Sequence, residues 1–216
     1  MASVCLYVGL LSSMLSLTCI VFGMASSQWI RVRSLFLTND IGIMRHCDVL
    51  SDYCGDMERI NDLVNAQYAS LFRSLQGVYL IHCAGTLVSG VVYFLFAVRF
   101  FEAKGGFRAL TAFNFLILAA GIYTLAIFGT NYRHFFGLTS PEYDDNIVFS
   151  KDGQSSHHVA EFGYGFIIAV IGCVLAGVVT ICSAMEASKA VDLLRNMQNR
   201  LTVWTSPYTL FVDQEA

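Results

Sequence analysis

Over most of this chain apolar residues do not alternate with polar ones but follow each other in long runs. Leu6–Ala25, Gln76–Val98, Ala109–Gly129 and Gly163–Ala184 contain no Lys, Arg, Asp or Glu. Each is close to the roughly 20 residues that carry a helix across a bilayer. Hydrocarbon offers the backbone no hydrogen-bond partner but itself, so such runs must be helical. The first is read as a retained span. Its Gly23-Met24-Ala25 end resembles a signal-peptide cleavage site, but no positive stretch precedes the run and it is long for a signal core.

Between the spans the pattern changes. Trp29-Ile-Arg-Val-Arg33 alternates apolar and charged positions, as a half-buried strand does, and Ile41–Leu50 holds a second short apolar-rich run. Ile60, Leu63, Val64, Tyr68 and Leu71 recur at helical spacing, which predicts a helix over Met57–Arg73 that feeds straight into the second span. Residues 130–162 read as a loop with one strand at Ile147–Ser150. Beyond the fourth span, Val191, Leu194, Met197, Leu201 and Trp204 stay close to one helical face. Lys189, Arg195 and Arg200 lie elsewhere, which predicts an interfacial helix against the membrane. A continuous helix projecting from the span is the alternative. The whole chain 1–216 is thus one tetraspan domain. Its spans are 6–25, 76–98, 109–129 and 163–184, its connections 26–75, 99–108 and 130–162, and its tail 185–216.

Composition agrees with lipid as the solvent: 56% of residues are hydrophobic, 13% are charged and the mean hydropathy is +0.58. A net charge of −3 with no basic cluster excludes nucleic acid as a partner. Orientation follows from the short connections. Arg99, Lys104 and Arg108 oppose only Glu102 in 99–108, which puts that loop and both termini in the cytoplasm. Residues 26–75 and 130–162 then lie outside with seven basic and eleven acidic residues, against six and five inside.

Of seven cysteines, only Cys47 and Cys54 lie in a polar segment. They read as a disulfide pinning a hairpin, which needs an oxidising compartment. Two free thiols are the alternative, and a metal site lacks a third ligand at suitable spacing. The order Trp29, then Gly42-Ile43-Met44-Arg45-His46-Cys47, then Cys54 resembles the claudin superfamily, whose signature is a Trp beyond the first span, Gly-Leu-Trp-x-x-Cys and a second Cys. That superfamily holds claudins, peripheral-myelin-type proteins and the gamma subunits of calcium channels and AMPA receptors. Met44 stands where the family has tryptophan, and the cysteine spacing is shorter. The resemblance implies an all-α membrane fold, a left-handed four-helix bundle capped by a small extracellular antiparallel sheet of about five strands, with no catalytic site and no cofactor.

Several residues invite a functional reading beside a structural one. Ser12, Ser16, Cys19 and Gly23, Gly85 with Ser89, and Gly172 with Ala176 make small-residue faces suited to close helix packing. His82 and Asn114 are polar at membrane depth. Their depths differ by roughly 15 Å, so they are not expected to pair, and each is expected to bond a neighbouring helix or an interfacial water. His157-His158 reads as solvated loop, and Cys182 at the inner boundary is a palmitoylation candidate. No hydrolase, metalloprotease or phosphate-loop motif occurs, so no enzyme is expected.

Two functions remain. The first is an auxiliary subunit touching the pore-forming subunits of an ion channel or receptor at the plasma membrane, with Glu142, Asp144 and Asp145 as contact candidates. The length of the second outer loop, Glu161-Phe-Gly-Tyr-Gly-Phe166 and the third span Phe113–Gly121 are similar to gamma subunits. The second is a junction protein pairing with other claudin-like molecules, in which Asp48, Asp52, Asp56 and Glu58 favour cations. A peripheral-myelin-like adhesion or trafficking role is the broader form. The closing Asp-Gln-Glu-Ala216 lacks the terminal Val, Leu or Ile that would tether a scaffold.

Overall fold

Exclusion of charge from four segments yields four long helices: α1 (Val4–Ala25), α2 (Ala69–Ala97), α3 (Gly106–Phe135) and α4 (Tyr164–Thr209). The computed structural model describes residues 4–33, 38–48, 53–55, 63–98, 106–136, 148–149, 155–156 and 159–209. Every helix is long and apolar enough to cross a membrane, so the chain is a multi-pass membrane protein. The helices neighbour one another in the ring α1–α2–α3–α4 and back to α1. Large apolar side chains such as Leu11, Ile81, Leu116, Val174 and Ile181 face outward, where lipid rather than water receives them.

The interior is built the other way round. Small and polar residues face in, and bulky ones fill the notches they leave. Tyr93 lies over Gly9, Ile117 over Gly85 and the His82 ring over Gly121. Ser16 Oγ donates to the Gly172 carbonyl at 2.7 Å, joining the small-residue faces of α1 and α4. Tyr79 and Tyr93 donate to the Ile20 and Val179 carbonyls. His82 and Asn114 bond neighbouring helices and not each other. His82 Nδ1 lies 2.8 Å from the Ile117 carbonyl oxygen. Asn114 accepts from Ser89 at 2.6 Å and reaches Ser183 at 3.4 Å, a chain through three helices. Asn114→Ala should therefore cost about 1 kcal/mol, the size of an interhelical hydrogen bond in a membrane protein. Thermal unfolding of the purified chain against wild type measures it.

At one end of the bundle lies a five-stranded antiparallel sheet in the order β4-β3-β2-β1-β7. Its strands are β1 (Ile30–Arg33), β2 (Thr38–Ile41), β3 (His46–Asp48), β4 (Tyr53–Gly55) and β7 (Val159–Phe162). A separate two-residue hairpin, β5 (Val148–Phe149) with β6 (Ser155–Ser156), stands where one strand is predicted. β7 is not anticipated. It closes the sheet beside β1 and runs within two residues into α4.

Two expectations need correction. The helix predicted over Met57–Arg73 is interrupted, because α2 begins only at Ala69. Asn65 takes its neighbours out of the helical ladder. Its Oδ1 accepts from the Gln67 N–H, its carbonyl from Tyr68 N–H, and its own N–H donates to the Phe135 carbonyl. Residues 57–62 of that prediction lie outside the described residues. The tail is not a separate interfacial helix either. α4 continues without a break through 46 residues, about 69 Å at helical rise, of which Tyr164–Lys189 is the span.

Candidate functional site at the sheet end of the bundle

The motif residues converge where the sheet meets the helices. Trp29 is wholly buried. Its ring stands edge-on to Tyr79 of α2, Phe128 of α3 and Phe166 of α4, at centroid distances of 5.3, 4.9 and 5.6 Å. Its Nε1–H donates at 2.6 Å to the Gly23 carbonyl in the last turn of α1, a group the helix itself leaves unpaired. One side chain thus touches all four helices and stoppers the mouth of the bundle.

Backbone bonds hold that plug in the sheet. Trp29 N–H donates to the Ile41 carbonyl, and its carbonyl accepts from Gly163 N–H. A Cβ at Gly163 would fall on the Gln28 carbonyl, and one at Gly42 on the Ser26 carbonyl. The two glycines therefore let the β7–α4 junction and the Gly42–Arg45 turn lie against the exit of α1. Ile43 is fully buried beside Trp29, and half-buried Met44 packs on the same cluster. The Ile43 carbonyl accepts from buried Gln76 Nε2 at 2.8 Å, fastening the turn to α2. Gly42→Ala should lift this turn and destabilise by about 1–3 kcal/mol, as overpacking does. The readout is the thermal midpoint together with the fraction of chains that form the disulfide.

The sheet has two unlike faces. Ile30, Val32 and Ala160 join the core beneath. On the other face, register places Glu161, Arg31, Asp40, Cys47 and Cys54 in one row across all five strands. Arg31 grips Asp40 with two bonds, Nε–H to Oδ1 at 2.7 Å and an Nη2–H to Oδ2 at 3.0 Å. Asp40 is only 3% exposed, and the paired guanidinium offsets the burial of its carboxylate. Hydrogen bonding to Asp40 raises the Arg31 pKa, with Glu161 adding in the same sense.

Cys47 and Cys54 form the disulfide between directly opposed residues of β3 and β4. Strands of three residues at a sheet edge hold register weakly, and the covalent bond fixes it. Asp48 belongs to β3, its side chain outside the description. Asp52, Asp56, Glu58, Glu142, Asp144, Asp145 and the His157-His158 pair lie outside the described residues. Cys182, the acylation candidate, is 6% exposed. Among the described residues no cluster of three His, Cys, Asp or Glu suits a metal.

Sequence reasoning passes over Asp40, Gln76, Tyr79 and the role of Gly163. Asp40 carries no signal of its own, since only the register of β1 on β2 reveals Arg31 opposite. Gln76 is visible as the one amide at the head of a charge-free run. No protein-family model matches the chain, and no curated protein aligns with it significantly.

Proposed function

We propose that this is a non-enzymatic, claudin-like tetraspan of the plasma membrane, acting as an auxiliary subunit that binds and modulates an ion channel or ionotropic receptor. The observation that carries the reading is the Trp29 plug joined through Gly42 and Ile43 to a disulfide-stapled sheet. It is a sheet fused to a membrane bundle, a platform suited to binding a partner both within and beyond the membrane. An oxidised Cys47–Cys54 pair favours the sheet end as the exterior, with both termini and the α2–α3 connection in the cytoplasm.

In this reading the bundle lies against a partner's membrane helices while the sheet reaches its outer domain. An open apolar groove of about 540 Å³ between α3 and α4, whose lining includes Leu118, Ile122, Val174 and Gly177, supports such contact. The subunit acts by binding one gating state better than another. A differential of about 1–3 kcal/mol changes the state ratio several-fold or more.

Gentle solubilisation followed by identification of stoichiometric partners tests the proposal. Recovery of a channel or receptor whose gating changes on co-expression supports it. Membrane strands and altered transepithelial resistance in transfected cells, with no channel recovered, would replace it by the junction reading.

A further inference from the structure

A small cavity of about 10 Å³ lies at the centre of the bundle, lined by Ser13, Thr86, Ser89, Asn114, Ile117, Ala176 and Val179. All four helices contribute to it. Ser13 is 1% exposed, and its Oγ has no hydrogen-bond partner among the described residues. The neighbouring hydroxyls have already committed their protons. Thr86 donates to the His82 carbonyl at 2.8 Å and Ser89 to Asn114 Oδ1 at 2.6 Å, so both present only lone pairs to the cavity.

We infer that this cavity is a binding site for a single water molecule. It would accept from the Ser13 hydroxyl and donate to Thr86 and Ser89. That is three bonds, the usual number for a buried water, in a space close to the smallest that holds one. A cation is the wrong ligand. It cannot accept from Ser13, and no carboxylate lines the site to offset burial of its charge. The water gives α1 its link to the Ser89–Asn114–Ser183 chain through α2, α3 and α4 and completes a polar layer across the bundle.

Hydroxyl-radical footprinting of the full chain in nanodiscs tests this, because a bound water delivers the radical to buried neighbours. Ile117 and Val179, which line the cavity, should be oxidised several-fold more than Ile20, which is buried in the core away from it. Ser13→Val, which removes the hydroxyl and fills the space, should bring both down to the Ile20 level. Ser13→Thr, which fills the space but keeps the hydroxyl, serves if valine prevents folding and should do the same. Equal labelling of Ile117, Val179 and Ile20 in the wild-type chain would overturn the inference, and so would unchanged labelling in a folded variant.

Discussion

Trp29→Ala is expected to lower the free energy of unfolding by about 3–5 kcal/mol, the range for removing a large buried aromatic. That is a large share of the total for a domain of ordinary stability. The reason lies in how many elements the ring serves. Tyr79, Phe128 and Phe166 meet it from three helices, and the fourth loses the donor that satisfies its Gly23 carbonyl. The sheet should detach from the bundle, and the chain should be retained during biogenesis. Trp29→Phe keeps most of the ring packing and removes the N–H, so it should cost less, nearer the roughly 1 kcal/mol of a single hydrogen bond plus the space left. Thermal unfolding of both variants in one detergent gives the comparison. Equal losses would mean that the donor, not the ring, holds the mouth of the bundle together.

Replacing both Cys47 and Cys54 by serine should cost about 2–3 kcal/mol, since the bond closes a loop over a separation of only 7 residues. The effect should be local. β3 and β4 pair through three residues each at the free edge of the sheet. Ile43, in contrast, stays fastened to α2 by Gln76. Hydrogen exchange should therefore accelerate at the amides of β3 and β4 and remain unchanged within the spans. Loss of protection throughout α1 and α2 would show that the hairpin supports the bundle rather than resting on it.

The spans were legible because lipid imposes a rule on every residue of a long segment, and breaches of it are easy to see. β1 was legible too, since Ile30 and Val32 face the core while Arg31 faces away. Pairing was not. Nothing local in Asn39-Asp40-Ile41 announces that Asp40 will lie buried opposite Arg31. Val159–Phe162 reads as the end of a loop until β1 is present for it to join. Helical spacing misled at Val64 and Tyr68, both of which pack on the core although Asn65 breaks the helix between them. The motif placed Trp29, Gly42 and Ile43 in one region of the chain. That a single ring reaches four helices is a property of their packing and leaves no mark in spacing.

Whether the stapled sheet faces the exterior is tested most directly by thiol chemistry on intact cells. An impermeant maleimide is applied with or without an impermeant reductant, and labelled peptides are mapped by mass spectrometry. Cys47 and Cys54 should be labelled only after reduction and without breaching the membrane, while the other five cysteines, Cys5, Cys19, Cys83, Cys173 and Cys182, stay unlabelled. Labelling of Cys47 and Cys54 without reductant, or only in permeabilised cells, would contradict the account.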